Sequence, residues 1–314
     1  MTQPGKRHAK VNIVTVSYRN HGDTRAFLDS LATVRGFQEC NVTVVNNAVD
    51  SEDLAELDEI AASFGGSVTM VNSVENLYYW GGANSVILGL VDSGGCRVDS
   101  DWIIICNNDV LFTDSRFLEK LCSYDTSEHG VIAPSIISLA NGRDQNPFLR
   151  KPPGMLRLLK GRLLYSGFHV ARMFLAMRQV ADPVRQWMNR RQVTGGARGR
   201  EDIYAPHGAF VVFSRRYFEC GGWLDTTVPM YTEEITTGAI AEQIGVPVRY
   251  CPDLQVHHRR HATTGNTLTR LQWSRENEGF THLRQHYSSS LGRRRDWKPV
   301  SDEVNLGVAH GRSR

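Results

Sequence analysis

The chain carries 314 residues, 41% of them hydrophobic and 22% charged, with a formal net charge of +3. That balance excludes an intrinsically disordered chain and supplies enough apolar material for one large α/β domain with an appendage. Apolar runs reach only about ten residues, half of what a bilayer crossing needs, so no transmembrane helix is expected.

The N-terminal stretch MTQPGKRHAK is polar and runs straight into an apolar segment, without the separate hydrophobic region of a secretory signal, which predicts a cytoplasmic protein. Four runs read as strands: VNIVTVSY (11–18), NVTVVNN (41–47), SVTMVNS (67–73) and DWIIICNND (101–109). Between them, Thr24–Val34, Ser51–Phe64 and Gly82–Ser93 carry apolar residues at helical spacing, so residues 1–140 predict βα units on a mainly parallel sheet. From 141 to 202 the character changes, and between Arg150 and Arg200 twelve Lys or Arg stand against one acid, Asp182. Within this stretch Leu163–Val180 reads as a helix apolar on one side and basic on the other. It suits a peripheral contact with an anionic membrane, an acceptor carrying pyrophosphate, or a lid packed on the domain. The α/β pattern resumes over 203–265, with a strand at Gly208–Phe213, a short helix at Arg215–Cys220, a helix at Glu233–Ile244 and a strand at Val246–Cys251. Residues 266–314 predict a polar helix after Arg270 and a basic tail whose last dozen residues read as disordered. Six cysteines without a C-x-x-C pair read as reduced, mostly buried thiols.

Open α/β sheets bind ligands outside the carboxyl ends of their strands, and polar residues gather at several of those ends. Asn107-Asn108-Asp109 closes the fourth strand, where Asp109 is placed to hold a hard divalent cation, or where the triplet simply turns the chain. Ser17-Tyr18 with Asn20, and Asn46-Asn47, end two more strands; together they suggest a nucleotide pocket with Tyr18 near the base. The segment Glu75 to Asn84, with Asn76, Trp80, Gly81 and Gly82, puts paired glycines before a predicted helix start, where backbone N–H groups could meet an anion or a sugar hydroxyl. Its aromatics read either as a stacking surface or as core. Glu233-Glu234 open a helix and offer a general base, or two carboxylates that merely suit the helix dipole. His257-His258 follow the last predicted strand and offer an imidazole to the metal begun at Asp109.

Taken in order, these segments resemble the family 2 glycosyltransferases, especially their rhamnosyltransferase-like branch, over roughly residues 11 to 265. The resemblance implies the GT-A fold: a Rossmann-like, mainly parallel central sheet flanked by helices, here with a basic helical insertion and a C-terminal helical segment. Ser17-Tyr18-Arg19-Asn20, Val45-Asn46-Asn47 and Glu75 to Asn84 match the family's donor-side segments, and Asn107-Asn108-Asp109 matches its Asp-x-Asp metal motif. His207-Gly208-Ala209 and Gly221-Gly222-Trp223-Leu224-Asp225 match two later motifs. By resemblance Asp109 and His258, with His257 as a neighbour, hold Mn²⁺ or Mg²⁺, Glu234 is the catalytic base, and Glu233 is an acceptor or structural contact. The chain departs from the pattern at Asn46, at the longer Glu234 in place of an aspartate, and between Ile235 and Gln243, where the usual arginine is missing.

The implied reaction is inverting, metal-dependent transfer of a hexosyl group from a nucleotide-diphosphate sugar to a glycan or polyprenyl-linked acceptor, in cell-surface polysaccharide or glycoconjugate synthesis on the inner face of the membrane. A sugar-nucleotidyltransferase would need a Gly-rich phosphate loop after the first strand, and none is present. A polyanion binder on a degenerate fold would leave Asp109, Glu234 and His258 without a role, and nucleic acid is not an expected partner.

Overall fold

The computed structural model describes residues 9–48, 51–91, 98–154, 159, 161, 164–174, 199–259 and 269–287. Four parallel strands, β1 (Val11–Ser17), β2 (Asn41–Asn46), β3 (Val68–Asn72) and β4 (Trp102–Asn107), lie in the order β3-β2-β1-β4. Helices α1 (His21–Ala32), α2 (Ser51–Ala62) and α3 (Tyr78–Leu90) make the crossovers. The sheet continues as β4-β8-β6-β9, where β6 (Val131–Ser138), β8 (Phe210–Ser214) and β9 (Val248–His258) mix parallel and antiparallel pairings. Both β5 (Val110–Phe112) and β7 (Glu201–Ile203) pair with the outer edge of β9. Short helices α4 (Phe117–Cys122) and α5 (Arg215–Glu219), then α6 (Glu233–Ile244) and α7 (Arg270–His282), complete the named elements.

Because helices cover both faces, the central strands read as unbroken apolar runs rather than alternating ones. In β4 the alternation is hidden: Trp102, Ile104 and Cys106 enter one core with Phe27, Leu28 and Phe210, while Ile103 and Ile105 enter the other with Trp80, Phe213 and Tyr217. Truncating such an isoleucine to alanine costs about 2–5 kcal/mol. Of the described cysteines, Cys40, Cys106 and Cys251 are buried and Cys122 and Cys220 exposed, all unpaired.

Two expectations are revised and one strand is added. Helix α3 starts at Tyr78, so Gly81 and Gly82 lie inside it and not ahead of it. A Cβ on Gly82 would sit 3.2 Å from both Val16 and Asn47, which makes this glycine the point of close helix–strand approach. The last strand reaches His258, so His257-His258 are paired sheet residues and not a loop. Strand β6 is not among the expected strands; it carries Pro134, and its register against β9 shifts between Pro134 and Ser135.

The start of the region 141–202 is tied to the central sheet. Asp144 binds Ser135 Oγ and Tyr250 Oη at 2.7 Å each, and Asn146 is buried, its amide donating to Pro134 O at 2.8 Å. Of the predicted helix Leu163–Val180, residues 164–174 are described; the helix breaks at Ser166-Gly167 and resumes over 168–174, and the remainder lies outside the described residues, as does the basic tail. This segment packs on α7 through stacked Tyr165 and Phe280 (5.3 Å between centroids) and through Trp273 Nε1, which donates to Tyr165 O at 2.8 Å. No described helix is long and apolar enough to cross a membrane.

Helix α7 is anchored by Asp225, which is 4% exposed. His282 Nε2 lies 2.7 Å from its Oδ2, the Tyr287 hydroxyl donates to the same oxygen, and the Thr227 N–H donates to Oδ1 at 3.0 Å. Burial alone would raise the Asp225 carboxyl, but these hydrogen bonds outweigh it and hold it down to about 2. Asp225→Ala leaves buried partners uncompensated and is expected to cost about 3–5 kcal/mol, a fall of roughly 10 °C in melting temperature at pH 7. A depressed carboxylate stabilises above its ordinary value of 3.8 and loses that contribution as pH falls towards 2. Thermal melts of both proteins should therefore separate fully above pH 4 and converge only as pH falls to about 2.

Candidate active site

Sheet order reverses between β1 and β4, and the register brings their ends together: Ser17 pairs with Asn46, and Val16 with Asn107. The buried amides here do structural work. Asn46 is fully buried; its Oδ1 accepts from Ala48 N–H at 2.9 Å and its Nδ2 donates to Asn72 at 3.3 Å. Asn47 Nδ2 donates to Tyr78 O at 2.7 Å, and Asn76 Oδ1 accepts from Tyr78 N–H at 2.9 Å, so two amides hold Tyr78 at φ +57°. Ser17 is buried with its Oγ accepting from Thr24 at 2.9 Å, whereas Tyr18 is 49% exposed. Asn108 Nδ2 donates to Thr24 Oγ1 and Asn20 O, pinning the β4–β5 turn to α1. Trp80 is buried against Phe213 and offers a ligand no surface; the cleft is lined by its neighbour Tyr79. Asn84 stands half-buried one turn further along α3.

Asp109 and His258 meet because β5 pairs with β9 in a register that sets Val110 against His258. His258 Nε2 lies 3.1 Å from Asp109 Oδ1, both side chains largely buried, yet that oxygen has no hydrogen-bond partner. His258 Nδ1 lies 2.7 Å from Gln145 Oε1, a contact that orients the ring with Nε2 towards Asp109. An imidazole nitrogen and a carboxylate oxygen that converge in this way are a donor set that suits a divalent cation, and Gln145 orients the imidazole as outer-sphere partners do. Among the described residues no three His, Cys, Asp or Glu cluster around one point. Diphosphate and water oxygens usually complete such a shell around Mg²⁺ or Mn²⁺. His257 follows the alternation of β9 onto the opposite face from His258, paired with Leu111.

Beside this pair lies a cavity of about 470 Å³ whose walls include Asn107, Tyr79, His207, Gly208, Glu233 and Glu234. Asn107 and His207 connect the two places: Asn107 begins the turn that carries Asp109, and the His207 ring lies 6.1 Å from that of His258. His207 is oriented by its N–H donating to Asn146 Oδ1 at 2.8 Å and its Nδ1 accepting from Ala209 N–H at 3.1 Å. Glu234 Oε1 accepts from Gly208 N–H at 3.3 Å, and Tyr79 Oη donates to Gly208 O at 2.9 Å. A Cβ at 208 would sit 3.0 Å from that carboxylate oxygen, so only glycine leaves it undisturbed. Burial, reinforced by Glu234, pushes the Glu233 carboxyl well above the usual glutamate range. Burial likewise raises Glu234 against the opposing backbone hydrogen bonds. The Tyr79 hydroxyl is raised by burial first, then by Cys106, Glu233, Glu234 and Asp109, which places these charges around one ring.

Among the cavity residues that were not candidates in the sequence are Tyr79 and Glu276. Tyr79 stood beside Trp80, and only the start of α3 decides which of the two rings faces the cleft. Glu276 lies in α7, 42 positions beyond Glu234, within a polar helix that carries no local signal.

No protein-family model and no curated protein sequence matches the chain. Solved structures do match it. Against the GalNAc-T7 structure with UDP, GalNAc and Mn²⁺, the TM-score is 0.55 at 11% identity, over 88% of this chain and 48% of that one. Against the mannosyltransferase PcManGT from Pyrobaculum calidifontis, in complex with GDP-Man and Mn²⁺, it is 0.49 at 13% identity, over 82% and 59%. The chain thus spans about half to three-fifths of these larger proteins. With strand order, switch point and the first of these likenesses in agreement, the chain has the GT-A type of α/β fold.

Proposed function

We propose that the protein is a metal-dependent glycosyltransferase acting by inversion, with a nucleotide-diphosphate sugar as donor and a glycan or lipid-linked saccharide as acceptor. The observation that carries this reading is Asp109 Oδ1, without a hydrogen-bond partner, facing His258 Nε2 at 3.1 Å beside a cavity lined by Asn107 and Glu234. Asp109 and His258 would hold Mn²⁺ or Mg²⁺, which when bound neutralises a departing diphosphate. Glu234 takes the proton of the acceptor hydroxyl as that oxygen attacks the anomeric carbon, and the nucleoside diphosphate leaves from the opposite face. The raised Glu234 value suits a base poised nearer neutrality. GalNAc-T7, which shares the fold, is known with UDP, GalNAc and Mn²⁺, and that pairing of nucleotide and metal supports the reading.

Isothermal titration of the protein with UDP, GDP and dTDP, each with and without Mn²⁺, tests it. Binding of one nucleotide that depends on the metal is the expected result; binding of none, with or without metal, would overturn it. The anomeric configuration of the first product by proton NMR then decides inversion.

We further propose a peripheral contact with anionic membranes through residues 168–174, where Val170, Met173 and Phe174 are 48%, 60% and 42% exposed, Arg172 sits among them, and the surrounding sequence is strongly basic. Flotation with phosphatidylglycerol vesicles should recover the wild type several-fold better than a Val170→Ser, Met173→Ser, Phe174→Ser variant. Equal recovery removes this contact from the proposal.

A further inference from the structure

The cavity around Glu234 contains a third acid. Glu276 projects from α7, and its position follows from a close contact: a Cβ on Gly279 would sit 2.9 Å from Thr232 Cγ2, so only a glycine lets α7 lie this near the start of α6. Glu276 stands one turn before Gly279 and four residues before Phe280, so Glu276 and Phe280 share the face that lines the cavity. Burial, then the nearby Glu234, lifts the Glu276 carboxyl to about 7.

Three carboxylates therefore line one cavity in which, among the described residues, no lysine or arginine takes part. An anionic group brought there meets like charge in a poorly solvated space. A neutral polyol does not, because acids that are partly protonated near neutrality both donate and accept hydrogen bonds, as sugar hydroxyls do. The remaining wall includes Tyr79, Phe148, Tyr231 and Phe280, apolar surface of the kind that covers the C–H face of a pyranose ring.

We propose that Glu276 is a specificity residue for the acceptor: it hydrogen-bonds an uncharged sugar hydroxyl beside the one that reacts at Glu234, and it excludes acceptors bearing a carboxylate or phosphate at that place. The proposal rests on the transferase reading of the cleft. It also directs the diphosphate of any lipid-linked acceptor outside this cavity, with only the terminal sugar entering.

The test is ligand-observed NMR on the full chain with methyl glycosides of glucose, galactose and mannose and of the corresponding uronic acids, pairs that differ by a carboxylate. The wild type should bind at least one neutral glycoside, and its uronide about tenfold more weakly or worse. Glu276→Ala should weaken the neutral ligand by about tenfold, the usual cost of losing a hydrogen bond to a charged group. Glu276→Gln should retain neutral binding within about threefold and narrow the discrimination against the uronide, since it keeps the hydrogen-bonding shape without the charge. Binding of a uronide equal to or tighter than its neutral partner, unchanged discrimination in both variants, or no neutral glycoside bound by the wild type would each overturn the proposal. Metal-dependent nucleotide binding, measured on the same wild-type sample, separates its failure from failure of the transferase reading.

Discussion

Replacing Asp109 with alanine is expected to abolish metal-dependent nucleotide binding and to lower transfer by about a thousandfold or more. The size follows from the role. A divalent cation on a leaving diphosphate supplies several kcal/mol of stabilisation, and each 1.4 kcal/mol is about a factor of ten. Asp109 and His258 are the pair proposed to hold the cation, so removing one halves that proposed donor set. The fold should survive, because this turn is held by other bonds: Arg259 N–H donates to the Asp109 backbone carbonyl at 3.0 Å, and Asn108 Nδ2 donates to Thr24 Oγ1 and Asn20 O. Titration calorimetry with the preferred nucleotide, with and without Mn²⁺, reads the first effect, and an unchanged melting temperature confirms the second. Full metal-dependent binding by the variant would move the metal site elsewhere.

The second large effect is expected at Glu234. Glu234→Gln keeps the oxygen that accepts from Gly208 N–H, so position and packing are preserved while the proton-accepting charge is removed. General bases contribute about 10²- to 10⁴-fold, and the loss should fall on kcat with nucleotide affinity unchanged. Because burial raises the Glu234 carboxyl, the wild-type rate should climb with pH through a value above the ordinary 4.5 of glutamate. The Gln variant should lack that acidic limb. If Glu233→Gln instead removes both the rate and the limb, the two adjacent acids exchange roles, with Glu234 left as the acceptor contact.

Much of this architecture is legible without coordinates, because the informative signals are local. Apolar runs ending in Ser17, Asn46 and Asn107 identify the parallel strands and their polar carboxyl ends, and the acidic pair Glu233-Glu234 marks the start of the helix Glu233–Ile244. Local signals also mislead at specific places. Gly81-Gly82 resembles an anion-binding loop until α3 is seen to start at Tyr78, and Trp80 resembles a stacking platform until it is buried against Phe213. Strand β6, which carries Pro134, is not among the expected strands.

What the sequence by itself determined, then, is the order of βα units, the polar strand ends and the chemistry available at Asp109, His258 and Glu234. What only the tertiary structure decided is which of these groups meet. Asp109 reaches His258, and not His257, because the pairing of β5 with β9 joins residues about 150 positions apart in a register that periodicity cannot specify. Glu276 and Tyr79 enter the site through helix packing, the close approach of Gly279 to Thr232 and of Gly82 to Val16, and such contacts depend on three-dimensional shape rather than on any spacing along the chain.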